Sequence, residues 1–165
     1  MPASSIVKHL YDGSITLKDG TGTPVTLVVP FSTGDFSASG IAQTQREVIA
    51  YETRGTLNAV RYTTRTYVTG SFSAQLPAYT DASTVGQVYA FVNKVAPYAS
   101  NVTTLTGPAE VYAVDVVLTT EGTNFGDSAD HTITLTKCAC TVDVAEGEPN
   151  TITVNFTCYG AVTVT

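Results

Sequence analysis

Hydrophobic and polar residues alternate along several short segments of the chain, a pattern typical of β-strands with one buried face. In "SITLKD", Ile15 and Leu17 fall on one face, and the largely apolar "PVTLVVPF" follows the turn-forming "DGTGTP". Such turn residues between two short strands predict a hairpin over residues 11–31. "GDFSAS" predicts a third short strand soon after it.

The middle of the chain has a less regular pattern. Residues 40–57 are mostly polar, and we predict a long loop there with a short strand around "EVIAYE". A connection of this length without structure of its own is usually functional. "VRYTTRTYVTGSFSAQL" is rich in β-branched and aromatic residues and predicts one strand, bent at Gly70.

One segment changes to a helical period. Val85, Val88, Tyr89 and Val92 are spaced as on one helix face, which predicts a helix over about 83–94. A strand is predicted over about 109–120, with Val114, Val116 and Leu118 among the residues of one face.

The last part of the chain predicts a long hairpin of two alternating strands joined by "EGEPN". Strict alternation places Ile133, Leu135, Lys137 and Ala139 on one face and Thr134, Thr136, Cys138 and Cys140 on the other. A turn centred on Glu148 places Cys138 opposite Cys158.

These elements predict a mainly β protein, a β-sandwich or small barrel of about seven strands with one short helix. We expect a single domain over residues 1–165, with an N-terminal arm at 1–12 and the long loop at about 40–57.

Charge is unevenly distributed. The formal net charge is −6 and the sequence pI is about 4.6, which argues against a nucleic-acid ligand. Four arginines nevertheless lie within twenty residues, and Glu47 and Glu52 offset them only in part; they are Arg46, Arg54, Arg61 and Arg65. A basic segment that meets an acidic surface of another copy is one interpretation.

Candidate chemistry is sparse. The three cysteines are odd in number and confined to the last third of the chain, which argues against a disulfide framework. Neither His9 nor His131 has a metal-ligand spacing with cysteine, and no nucleophile elbow or phosphate loop is present. We therefore expect no enzymatic activity, no cofactor and no metal. Without a signal peptide or a long apolar run, the protein is expected to be made in the cytosol.

In their order and local sequence, these segments resemble those of the major tail tube proteins of long-tailed, siphovirus-type bacteriophages. The resemblance begins with "YDGSITLKDGTGTPVTLVVPF" and "STGDFS" and continues through "RG" and "VTGSFSAQLPAYTDAS". It extends over "TVGQVYAFVN" and "VYAVDVVLTT" to the closing hairpin, and so covers nearly the whole chain.

The resemblance implies a structural subunit of a virion tail, assembled in the host cytoplasm. In that family six β-sandwich subunits join edge to edge into a ring, and the rings stack into a self-assembling tube that conducts DNA during ejection. Implied partners are tape-measure, tail-tip and tail-terminator proteins, with the genome passing through without specific binding. A long loop or hairpin at this position, together with the N-terminal segment, reaches the neighbouring ring.

On this basis we expect Arg46, Glu47, Arg54, Arg61 and Arg65 to contact another subunit. Acidic residues of the C-terminal half are expected to face the lumen, with candidates Asp115, Glu121 and Asp143.

Three alternatives stay open. The protein is another tail or secretion-tube component, such as a tail terminator or tail-tip protein, an immunoglobulin-like surface binding module, or an enzyme with a site of scattered carboxylates.

Overall fold

The computed structural model describes residues 13–30, 33–42, 45–76, 87–108, 110–122 and 128–165. The predicted N-terminal arm lies outside these residues. The described chain is mainly β with one short helix, as predicted, but it contains ten strands where about seven were expected. The elements are β1 (Gly13–Lys18), β2 (Thr26–Val28), β3 (Ser37–Ser39), β4 (Arg46–Thr53), β5 (Thr56–Arg65), β6 (Val68–Gln75), α1 (Gln87–Val92), β7 (Val114–Thr120), β8 (His131–Ala145), β9 (Thr151–Cys158) and β10 (Val162–Val164).

Eight of the strands form one antiparallel sheet, and two form a separate hairpin. The order in the large sheet is β2-β1-β7-β8-β9-β6-β3, and β10 pairs with the first half of β8. β4 and β5 pair only with each other in the described chain. The large sheet does not close into a barrel within the described residues.

The large sheet encloses one hydrophobic core because its strands alternate as the sequence predicts. Both of its halves supply this core: Leu17 and Val116 come from the β1-β7 half, and Phe72 and Val154 come from the β6-β9 half. Phe91 of α1 is fully buried and packs edge-on against Tyr98, with 5.0 Å between ring centroids. Each of these side chains contributes about 1.5–3 kcal/mol by leaving water.

A bulge in β8 changes the predicted faces of the closing hairpin. Leu135 and Cys138 are both fully buried although they are three residues apart, so the strict alternation that we predicted for β8 is wrong beyond Thr136. Lys137 has a φ of 59°, and the β7–β8 register shifts between Val114 and Val116. The Asp115 carboxylate accepts a 2.8 Å hydrogen bond from the Lys137 N–H and holds the bulge in place.

Several other predictions are confirmed. Ile15 and Leu17 are buried together on β1, and Val114, Val116 and Leu118 share the buried face of β7. Cys138 pairs directly with Cys158. The helix ends at Val92, two residues before the predicted end, and its predicted start lies outside the described residues.

The middle of the chain departs most from prediction. The predicted loop at 40–57 contains all of β4, and the strand predicted after it is divided into β5 and β6 at Thr66 and Tyr67. Gly70 does not interrupt β6; the Phe156 ring lies where a Cβ at this position would be. Residues 46–65 therefore form a hairpin, not a loop with one short strand.

A buried carboxylate joins the first hairpin to a distant loop. Asp19 is 2% exposed and accepts hydrogen bonds from the Thr21 hydroxyl (2.8 Å), the Val25 N–H (2.7 Å) and the Val102 N–H (3.1 Å). Burial raises the pKa of Asp19, but these hydrogen bonds outweigh burial and leave the pKa below its usual value.

Candidate assembly interface

The β4–β5 hairpin is the most unusual feature of the described surface. Its two-residue turn places Arg54 and Gly55 at φ values of 53° and 77°. Two positive φ values are the geometry of a tight hairpin turn, which glycine adopts at little cost. Apart from each other, β4 and β5 make no extensive contact with any other described strand or helix.

Large apolar side chains cover both faces of this hairpin. They are between 39% and 59% exposed, and they are Val48, Ile49, Tyr51, Leu57, Val60 and Tyr62. An isolated two-stranded hairpin is at best marginally stable in water, and a contiguous exposed apolar patch usually marks an interaction surface. The hairpin therefore has the composition of an element that a partner covers.

The predicted contact residues all lie on this hairpin. Arg46 and Glu47 begin β4, Arg54 forms the turn, and Arg61 and Arg65 lie on β5. With Glu52 the hairpin carries four arginines and two glutamates, which gives it a net charge of +2. Because the net charge of the whole chain is −6, the residues outside the hairpin carry −8. The structure thus concentrates the positive charge on a projecting element, where it is accessible to a partner.

Arg65 is held by side-chain contacts within its own chain. Its guanidinium donates hydrogen bonds to the carbonyls of Tyr159 (3.0 Å) and Gly160 (3.4 Å) and lies 5.4 Å from the centre of the Tyr67 ring. The Tyr67 and Tyr159 rings pack edge-on, with centroids 4.8 Å apart. Arg65 therefore fixes the base of the hairpin to the end of β9.

A second candidate interface is the edge of β8 beyond its bulge. β7 pairs with β8 only as far as Cys138, whereas β9 pairs with its opposite edge as far as Ala145. Residues 139–145 therefore have one edge without a strand partner in the described chain. This segment contains neither lysine nor proline, the residues that commonly prevent an open edge from pairing with another chain.

The face of β3, β6 and β9 that points away from the core is lined by small hydroxyl side chains. Several bond to one another across strands: Ser37 to Ser71 at 3.2 Å, Ser39 to Thr69 at 3.3 Å, and Ser73 to Thr153 at 3.1 Å. These residues and the second half of β8 surround a depression of about 400 Å³ that no lysine or arginine lines. The surface is polar but almost without charge.

The three acidic candidates do not form a cluster. Asp115 is half-buried and holds the β8 bulge, as described above, and Glu121 follows the end of β7. Asp143 is exposed on β8 and accepts a 2.8 Å hydrogen bond from the Asn155 amide. Of the three, Asp143 belongs to the strands of the hydroxyl-lined face.

The three cysteines are free thiols. Cys138 and Cys158 are fully buried opposite each other. The Cys138 thiol donates to the Leu135 carbonyl (3.4 Å) and the Cys158 thiol to the Thr136 carbonyl (3.1 Å), and the contact with the Cys138 sulfur lowers the pKa of Cys158. The same contact, together with burial, raises the pKa of Cys138. Burial raises the pKa of Cys140 to about 12. The pair belongs to the core, not to an accessible site.

The described residues offer no group of three or more His, Cys, Asp or Glu side chains that is arranged to hold a metal ion. In this part of the chain no helix has the length and apolar character needed to cross a membrane.

Sequence reasoning found the arginines, a short strand within β4 and the second half of β5, but missed the pairing of β4 with β5 and the exposure of their apolar side chains. The available signal was "RG" between two threonines: Thr53 and Thr56 close the ladder on either side of the Arg54–Gly55 turn.

Comparison with known proteins gives matches in structure and none in sequence. No protein-family model matches the chain, and no curated protein matches it. A chain in the cryo-EM structure of the sheath/tube terminator of an extracellular contractile injection system, PVC, in its extended state, matches with a TM-score of 0.56 and 12% identity. A chain in the cryo-EM structure of the baseplate of the anti-feeding prophage matches with a TM-score of 0.50 and 9% identity.

Both matches cover 100% of this chain and 97% of the other chain. At these identities the likeness concerns the fold. The fold is one that occurs in phage-tail-like injection particles, which agrees with the coarse part of the resemblance seen in the sequence.

Proposed function

We propose that this protein is a ring-forming structural subunit of a phage-like tail or injection particle, of the terminator or baseplate kind. The observation that carries the proposal is the β4–β5 hairpin, whose apolar residues are exposed on both faces and whose net charge is opposite to that of the rest of the chain. A monomer has no use for such an element, because exposed apolar area lowers solubility without adding to the core.

The matched structures favour a component at an end of the tube. One is a sheath/tube terminator structure and the other a baseplate structure, and each is matched over the whole of this chain. Both belong to multi-subunit particles, so in this proposal the chain works only as part of an assembly and has no enzymatic activity.

The open strand edges supply a route to ring closure. β8, β9, β6 and β3 are neighbours in this order, and the second half of β8 and the outer edge of β3 are the free ends of the layer. Pairing the β8 edge of one copy with the β3 edge of the next is a heterologous contact, which closes into a ring when its rotation allows. The resemblance to tail tube proteins suggests six copies.

The second candidate is the major tail tube subunit. The order of the sequence segments favours it, and so does the hairpin, which lies where that family contacts the next ring. In that role the rings would stack into a tube around passing DNA, bounded by tape-measure, tail-tip and terminator proteins. The two candidates differ in whether stacking stops.

The test is negative-stain electron microscopy of the purified protein over a wide concentration range, with the mass in solution measured by light scattering. Separate rings of fixed mass at all concentrations would support the terminator or baseplate function. Hollow tubes that lengthen with concentration would support the major tube subunit. A protein that stays monomeric up to millimolar concentration would contradict both candidates.

A further inference from the structure

Two of the three thiols meet where the two halves of the large sheet join. Cys138 is the last residue of β8 that pairs with β7 and the first that pairs with β9, and its partner Cys158 is the last residue of β9. Cys158 also pairs with Val68, the first residue of β6. A covalent bond between these two cysteines would therefore join both halves of the sheet at one point.

The backbone places the two cysteines at the separation that a disulfide spans. The Tyr159 N–H donates to the Lys137 carbonyl at 3.0 Å, and this bond flanks Cys138 and Cys158, which marks them as a non-hydrogen-bonded pair. The Cα atoms of such a pair lie about 4.5 Å apart, within the range of about 4.4–6.8 Å that a disulfide spans. Both side chains are fully buried, and their sulfurs are in contact. A bond between them requires no large movement of either strand.

The third cysteine has no such partner. Cys140 pairs with Phe156 across the two strands, so it lies diagonally from Cys158. Diagonal neighbours are about 7–8 Å apart, which is beyond the separation that a disulfide spans without movement of the backbone. The register therefore selects one pairing of the three that are possible.

We infer that Cys138 and Cys158 form a redox-sensitive lock, in which a small-molecule disulfide of the glutathione type converts the two thiols into one disulfide that fastens β8 to β9, while Cys140 stays reduced. This inference concerns the single chain and does not depend on the proposed function. In a subunit that is assembled in a reducing cytoplasm and used in a particle outside the cell, the lock is open during folding and closes after release.

The reaction consists of two balanced exchange steps. The Cys158 thiolate attacks one sulfur of the small-molecule disulfide, which forms a mixed disulfide and releases one thiolate. The Cys138 thiol then loses its proton and attacks the Cys158 sulfur, which forms the protein disulfide and releases the second thiolate. Two protein thiols are oxidised, one small-molecule disulfide is reduced to two thiols, and the two released thiolates take up the two protons.

Cys158 is the thiol that reacts first. Contact with the Cys138 sulfur lowers the pKa of Cys158, the same contact raises the pKa of Cys138, and the thiolate is the form that attacks. Because both thiols are buried, the end of β9 must open before an oxidant reaches them, and strand ends open more readily than strand centres. The hydrogen bonds from Arg65 to the Tyr159 and Gly160 carbonyls hold this end closed, so opening limits the rate in the native protein.

The experiment refolds the reduced chain from urea in glutathione buffers, so that the oxidant reaches every thiol regardless of native burial. One buffer contains an excess of oxidised glutathione and the other an excess of reduced glutathione. After acid quenching, alkylation and peptide mass spectrometry count the free thiols and locate any disulfide. Cys140→Ala is the matched control that leaves the pair intact, whereas Cys158→Ala removes the pair.

We expect one free thiol per chain, at Cys140, in the oxidising buffer and all three in the reducing buffer. Oxidation should raise the midpoint of thermal unfolding by about 10 °C in the wild type and in Cys140→Ala, because the bond restricts the loop 138–158 of the unfolded chain. In Cys158→Ala the midpoint should be the same in both buffers. Each variant is compared with itself, so the cost of the substitution cancels.

Three results would each overturn the inference. They are the absence of a protein disulfide in the oxidising buffer, a bond that includes Cys140, and an oxidised form that is no more stable than the reduced form. None of them bears on the proposed function, which depends on assembly and is tested separately by electron microscopy.

Discussion

The β8–β9 and β4–β5 hairpins are built in the same way but relate differently to the rest of the chain. In β9 every second residue is buried, and the residues between are mostly threonine and asparagine. In β4 all eight residues are exposed, and its apolar residues do not alternate with polar ones. The first hairpin is completed by its own chain, whereas the second has the composition of half an interface. The alternation of apolar and polar residues therefore predicts a strand well only when the surface that the strand packs against belongs to the same chain.

The largest expected effect is the loss of stability when a side chain is removed from the core of the large sheet. Phe72→Ala removes a fully buried ring from the core and should lower the free energy of unfolding by about 3–5 kcal/mol. Tyr62→Ala, on the exposed hairpin, should change it by less than about 0.5 kcal/mol. Urea denaturation of the unassembled proteins measures both. Similar losses for the two variants would mean that the hairpin packs against its own chain.

The second prediction concerns assembly and not folding. Arg54→Glu combined with Arg61→Glu reverses the net charge of the hairpin and should abolish assembly while the circular dichroism spectrum stays unchanged. Lys18→Glu combined with Lys94→Glu is the matched control, because it changes the total charge by the same amount outside the hairpin. Normal assembly of the hairpin variant, seen by electron microscopy, would remove the electrostatic part of the docking proposal.

The third prediction concerns the pH dependence of stability that the buried Asp19 carboxylate causes. Because hydrogen bonds hold the pKa of Asp19 below its unfolded value, its contribution to stability is complete above the unfolded pKa of about 3.9 and is lost as the pH falls through the lower, folded pKa. Asp19→Asn should therefore cost about 1–3 kcal/mol at pH 7 and reduce the loss of stability on acidification. Urea unfolding at several pH values between 2 and 7 measures this.

Equal acid sensitivity of Asp19→Asn and the wild type would contradict the assigned role. Asp35 also has a lowered pKa: burial raises it, but hydrogen bonds from Ser73 outweigh burial, so some acid sensitivity should remain in the variant.

The smallest effect on assembly is expected from the cysteines. Replacing Cys138, Cys140 and Cys158 together by alanine should lower stability by only about 1–3 kcal/mol, because two of the changes remove one small buried group each and Cys140 is half-buried. The concentration for half-assembly should stay the same under conditions where the variant is folded. A thiol titration of denatured wild type should find all three thiols, and fewer than three would reveal a disulfide.

The strands of the large sheet were predictable because one face of each strand packs into a core that the same chain supplies, so apolar and polar residues alternate along them. Ile15 and Leu17, the buried face of β7 and the pairing of Cys138 with Cys158 all follow from period-two patterns. The bulge at Lys137 did not, since a single extra residue changes which residues are buried without changing local composition.

The hairpin was hidden for a different reason. Its arginines were recognised as a cluster and a short strand was predicted around "EVIAYE", within β4. Val48 and Ile49 are apolar neighbours on opposite faces, so no alternation indicates a buried face or a pairing with β5. In the proposed function these apolar residues are selected by contact with another subunit, which leaves no pattern within the strand itself. The turn at Arg54 and Gly55 is the one local sequence signal of the hairpin. Contacts with another subunit remain a prediction for all five residues: Arg46, Glu47, Arg54, Arg61 and Arg65.

The long strand β8 also has a mechanical consequence. It pairs with β7 before the bulge and exposes a free edge after it, so one continuous backbone belongs to both halves of the sheet. A load applied at the free edge by a neighbouring copy would pass along covalent bonds into the β1-β7 half, without crossing a packed interface that can slip. Where the strand changes neighbours, the hydrogen bond from the Lys137 N–H to Asp115 resists shear. The subunit would then transmit tension as one stiff body.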